Sequence, residues 1–153
     1  MNKKLLSLIA VPVLALGATT AHADKHGNGG DFNLTGKTVG FTEVDLGAPG
    51  DSVGDQQIIS MDVFAGAKRV GESHVVCMKV RVGPAGSIAQ CENVTSLPGG
   101  QITASGVVSS DDEEQHPFVQ AITGGTGAYK QVHGQLTVSE AGPQPATLTF
   151  DLS

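Results

Sequence analysis

What this 153-residue chain has least of is concentrated positive charge: nine Lys and Arg stand against fifteen Asp and Glu, with no basic run longer than a pair. That balance excludes a nucleic-acid or anionic-membrane partner. Also missing is an apolar stretch able to cross a bilayer. The most apolar segment, residues 5–16, falls short of the roughly 20 residues a span requires and is interrupted by Pro12. No window places apolar residues at helical spacing over three turns, which excludes a helical domain. Tryptophan is absent and aromatics amount to only 4%. There is no G-x-S-x-G, no H-E-x-x-H, and no glycine loop ending in Gly-Lys and Ser or Thr.

The N-terminus reads as a processing segment. Lys3 and Lys4 precede the apolar run, and Ala21-His22-Ala23 supplies a small-x-small cleavage pattern, so residues 1–23 are expected to be a secretory signal peptide. Its loss removes two lysines and no acid, taking the formal charge from −6 to −8. The polar, Gly-rich stretch that follows predicts a flexible leader over residues 24–34, and residues 35–153 suffice for one domain with a real core. The expected location is secreted or periplasmic, with no membrane contact after cleavage.

What is present is an all-β text. Runs rich in Val, Ile, Thr and Phe alternate with clusters of the chain's 21 glycines and other turn residues. They predict eight strands, over residues 37–46, 57–64, 69–82, 87–97, 101–109, 118–123, 130–139 and 147–152. Links of hairpin length suit antiparallel neighbours, closed into a barrel or stacked as a sandwich. In the third run Val76, Met78, Val80 and Val82 share one face and Cys77, Lys79 and Arg81 the other. One apolar and one mixed face fits a barrel with a partly polar lumen or a sheet with one wet side.

Two cysteines remain for an oxidising compartment, Cys77 and Cys91. They are equidistant from Pro84 in a Gly-Pro-Ala-Gly turn, so a symmetric hairpin sets them opposite one another, within disulfide reach. The bridge is the expectation, and a pair of free thiols, one of them functional, is the rival. The cluster Gly124-Gly125-Thr126-Gly127 leads into a β-rich run rather than a helix, which makes it a bend between strands and not a phosphate cradle. His26, His74, His116 and His133 lack ligand spacing, and the run Asp111-Asp112-Glu113-Glu114 lacks the alternation of a calcium loop. It reads as a charged turn, and no metal site is expected. Glu43, Asp45, Asp62 and Glu72 are the acids of the strand regions, any of which could do acid–base work if desolvated.

The segment from Ala121 to Tyr129 (AITGGTGAY), followed by Gly134-Gln135, resembles the hallmark stretch of the allene oxide cyclase and dirigent proteins. Ser52-Val53-Gly54-Asp55, Phe64, and Arg69-Val70-Gly71 leading into Cys77 are similar to that family in order and nearly in spacing. The resemblance covers residues 41–153 and implies an eight-stranded antiparallel β-barrel. It also implies a secreted barrel that binds a hydrophobic small molecule and directs its cyclisation or stereoselective coupling, as a cyclase-type isomerase without metal or organic cofactor. By the family pattern Glu43 matches the first-strand acid and Cys77 the cavity cysteine, and these two are the candidate catalytic residues. A homo-oligomer, trimer or dimer, is implied as well. The alternative is a non-catalytic small-molecule-binding or structural β-barrel, with a Cys77–Cys91 disulfide and a lumen filled by side chains.

Overall fold

Strands built from β-branched residues must pair on both edges or leave backbone groups unmet, and this chain meets the requirement by closing its sheet. The computed structural model describes residues 30–109, 117–139 and 145–153. It contains β1 (Phe32–Val44), β2 (Gln56–Ala65), β3 (Lys68–Gly83), β4 (Gly86–Leu97), β5 (Gly100–Ser109), β6 (Phe118–Gly125), a 3-10 turn (Gly127–Tyr129), β7 (Gly134–Ser139) and β8 (Ala146–Leu152). Each strand pairs antiparallel with its sequence neighbour, and β8 returns to β1 to form a closed eight-stranded antiparallel β-barrel. The signal peptide, most of the leader and the acidic run with His116 lie outside the described residues.

Two expected boundaries shift. Phe32, Asn33 and Leu34, assigned to a flexible leader, form the start of β1 and pair with Phe150, Thr149 and Leu148. Leu34 is buried there, and the Phe32 ring stacks on Phe150 with centroids 4.8 Å apart. Residues 130–133, expected in the seventh strand, instead belong to the turn region before β7. The cause is the close backbone packing of the glycine cluster. Thr126 N–H donates to the Gln101 carbonyl (2.8 Å), Ala128 N–H to the Gly99 carbonyl (2.9 Å), and Gln101 N–H to Thr126 Oγ1 (3.0 Å). A Cβ on Gly100 would run into the Thr126 carbonyl, and one on Gly127 into that of Gly99. The glycines allow the β6–β7 link to press onto the β4–β5 turn.

Along that end the inward side chains are large and fill the lumen. Val63, Ile102, Leu136, Leu148 and Phe150 are all at most 1% exposed, and Tyr129 and Val132 pack against them. The other end has a smaller cluster of Met61, Val75 and Cys91, with Ile59, Cys77 and Phe118 beside it. Inward alternation on β3 runs through the mixed face, so Cys77 and Lys79 look toward the lumen. Val76, Met78 and Val80 point out, each at least 40% exposed. Phe150, central to the filled half, sets the stability of the barrel. Phe150→Ala should lower the unfolding free energy by about 3–5 kcal/mol, measured by denaturant titration.

Candidate functional site

The hollow half comprises two cavities that share Gln57, Cys77 and Val108 as lining. The inner one, about 430 Å³, is lined mainly by apolar side chains such as Phe41, Ile59, Val75 and Phe118, with Thr38, Gln57, Asn93 and Gln120 as its polar members. Among the described residues that line it, none is ionisable, Cys77 and Cys91 being bridged. Among the described residues the mouth, about 420 Å³, carries Glu43, Asp45, Asp51 and Asp55 against one cation, Lys79. Four carboxylates and one ammonium repel an anionic ligand from the entrance.

Glu43 reaches this mouth through a β-bulge. Leu34, Gly36 and Thr38 are on the inward parity of β1; the ladder then slips between Thr38 and Gly40, leaving Val39 unpaired and 64% exposed. One extra residue exchanges the faces, so Phe41 and Glu43 now oppose Ile59 and Gln57 on the lumen side. Glu43 is exposed at the rim and its Oε1 accepts a hydrogen bond from Gln57 Nε2 (3.4 Å). Cys77 sits deeper, opposite Cys91, with Cα atoms 4.0 Å apart and the disulfide formed. The hairpin is not symmetric about Pro84: its tight turn pairs Gly83 with Gly86, and a bulge at Val80 restores the Cys77–Cys91 register. As half of a bridge, Cys77 offers the lumen a sulfur surface rather than a thiol. The sequence-predicted pair therefore shares the mouth lining, one at the rim and one at the junction with the inner cavity.

Asp55 organises the rim. Its carboxylate accepts the backbone N–H of Leu46 (2.9 Å) and of Ser52 (2.9 Å), the Ser52 hydroxyl (3.2 Å) and the Lys79 ammonium (3.4 Å). These bonds, the Ser52 and Leu46 amides foremost, hold its pKa down at about 2. Gly54, at φ +102°, donates its N–H to the Lys79 carbonyl (2.9 Å), and Lys79 N–H returns a bond to the Asp55 carbonyl (2.9 Å). Lys79 Nζ also pairs with Asp51 (2.6 Å), which raises its pKa. The Ser52–Asp55 segment thus fastens the β1–β2 link to β3.

Below the disulfide lie groups that sequence reading did not single out. Asn93 Oδ1 accepts from the hydroxyls of Ser73 and Thr95, each at 3.0 Å. Gln120 Nε2 donates across the barrel wall to the Cys91 carbonyl (3.3 Å). Asn93 Nδ2 and Gln120 Oε1 have no partner among the described residues, although both side chains are at most 2% exposed. A period of two could have found Asn93 and Thr95, since both share a face with Cys91. Asp62 and Glu72 are on the outer wall, where both pair with Arg69 (2.6 and 3.6 Å). His74 is outside too, against Ser60 Oγ (3.1 Å) and Glu72 (3.7 Å). Among the described residues no three His, Cys, Asp or Glu side chains converge as a metal would require.

An eight-stranded barrel packed at one end and hollow at the other defines the structural class. The chain belongs to the allene oxide cyclase barrel-like domain family, whose model matches residues 35–149. Among solved structures, it is similar to a pyocyanin demethylase at 32% identity and a TM-score of 0.72, covering 80% of this chain and 99% of that one. AbnU, an exo-specific intermolecular Diels–Alderase, shares the fold at 12% identity (TM-score 0.62; 82% and 98% covered). So does a pterocarpan synthase dirigent protein, at 17% identity (TM-score 0.56; 81% and 91% covered). No curated protein sequence matches the chain.

Two outcomes test this architecture. Replacing Cys77 and Cys91 together by Ala should cost about 3 kcal/mol of stability through the released loop, and reductant should reproduce most of the loss in the unaltered protein. Asp55→Asn should lower the urea midpoint at neutral pH. Because the folded-state pKa is depressed, the stabilisation is complete above the ordinary carboxylate value of roughly 4 and disappears as pH falls through about 2. The gap between Asp55→Asn and the unaltered protein should therefore close over that window.

Proposed function

We propose that this chain, acting outside the cytoplasm after loss of residues 1–23, is a barrel that binds a hydrophobic small molecule in its hollow half. It directs the cyclisation or stereoselective coupling of that molecule without a metal or organic cofactor. The observation that carries the reading is a mainly apolar inner cavity of about 430 Å³ that shares Gln57, Cys77 and Val108 as lining with the mouth. Its volume falls within the range of small-molecule sites, roughly 300–1,000 Å³. Ring closure or coupling needs mainly a substrate held in one reactive conformation, and a rigid barrel supplies that by restricting motion on binding.

Glu43 is the group assigned to act on the substrate from the rim. Its carboxylate, held by Gln57, would position or polarise an oxygen of the substrate where cavity and mouth meet. Cys77, as a disulfide sulfur, lines the wall and takes no part in bond making. The pyocyanin demethylase relative shows that a barrel this similar is named for the demethylation of pyocyanin. The Diels–Alderase shows the same fold named for a cycloaddition. The apolar character of the described inner lining suits the second kind of chemistry for this chain.

The test presents the purified protein with an allene oxide, a diene with its dienophile, and pyocyanin, and follows products by chiral chromatography. Acceleration or an altered stereoisomer ratio with either of the first two is expected, and Glu43→Gln should abolish it while circular dichroism is unchanged. Undiminished turnover in Glu43→Gln removes that residue's role. Turnover of pyocyanin alone overturns cyclisation and coupling, and binding without any turnover makes the protein a carrier.

A further inference from the structure

The two unmatched amides carry an inference that rests on the lumen being the small-molecule site. They sit on β4 and β6, with β5 between them. Inward positions of β5 at that level hold Ala104, paired with Asn93, and Gly106, paired with Cys91. These are the smallest side chains available, so the wall between the amides is low. A Cβ on Gly106 would come within 3.1 Å of Gln120 Cγ and 2.9 Å of the Val119 carbonyl. Its absence lets the Gln120 side chain lie across β5 and reach the Cys91 carbonyl.

That carbonyl can only accept, so it fixes the Gln120 amide with nitrogen toward the wall and Oε1 left over. With Oδ1 of Asn93 on the hydroxyls of Ser73 and Thr95, what remains there is an N–H. Gln120 and Asn93, 1% and 2% exposed, thus both line the same apolar cavity, one with an unmatched acceptor and the other with an unmatched donor. Leaving such groups unmet is costly, and a ligand bearing the opposite pair would recover that cost. Charge on that ligand is disfavoured twice over. The acidic mouth repels anions, and the apolar lining penalises any ion.

We propose that the inner cavity selects a neutral, mostly apolar ring compound through a cyclic-amide edge. The ring carbonyl accepts from Asn93 Nδ2 and the ring N–H donates to Gln120 Oε1. A carbonyl held by Asn93 is also polarised, which activates an adjacent double bond toward ring formation.

Three probes of similar size separate the edge from simple apolar filling: 2-quinolone, N-methyl-2-quinolone and naphthalene, each titrated calorimetrically into the purified protein. 2-Quinolone should bind most tightly, with loss of its N–H weakening binding roughly tenfold. In Gln120→Met the preference for 2-quinolone over its N-methyl form should fall close to unity, which a steric effect of the methyl group would not produce. The ligand-free Gln120→Met protein should melt no lower than the unaltered one, because removal of the buried unmatched Oε1 offsets loss of the long (3.3 Å) bond to the Cys91 carbonyl. A clear drop in melting temperature would make the amide a structural member and overturn the proposal. Naphthalene binding as tightly as 2-quinolone overturns the edge but leaves the small-molecule lumen standing. Failure of all three probes to bind overturns both.

Discussion

The ladder between β1 and β8 is the constraint on which the rest of the molecule depends. Five consecutive pairs, from Phe32 with Phe150 to Gly36 with Ala146, convert a sheet with two raw edges into a wall with none. Once the wall is closed, the inward residues of the filled half face one another rather than water. Eight strands give an interior that side chains can just fill, or that can hold one ligand. Which of these occurs is decided layer by layer, by side-chain size. Leucine, isoleucine and phenylalanine fill the layers near the glycine-rich turn. Thr38, Gly106, Gln57 and Ala89 leave the opposite layers open.

Much of the fold was legible because strand signals are local. Runs of β-branched residues between turn clusters placed all eight strands, and the symmetric spacing of Cys77 and Cys91 about a turn anticipated their bridge. Choosing barrel over sandwich required the family resemblance, since closure depends on contacts between the two ends of the domain. Phe32–Leu34 show the limit: beside a Gly-rich leader they read as its continuation, and only their partners on β8 identify them as strand.

The candidate site was less legible, for reasons of phase. Period-two alternation suggests that the apolar face of β3 should look inward, yet Val76 and Met78 face out while Cys77 and Lys79 face the lumen. A lysine is tolerated there because it is near the mouth and paired with Asp51 and Asp55. Glu43 is inward only because Val39 bulges, a one-residue slip that no composition reveals. Asn93 and Gln120 were missed because an amide in a strand ordinarily reads as solvent-facing. They stand out only where burial and missing partners coincide.

The low wall at Ala104 and Gly106 has a consequence for how such a cavity persists. The hollow is made by omission, from side chains that stop short. Larger apolar residues at such positions would fill the space and, where they fit, make the protein more stable, since cavities and unmatched amides both reduce stability. A binding site of this kind lies uphill from its own solid version. It is maintained only by the work its occupant does, and a barrel released from that work would drift toward a filled core while keeping the same fold.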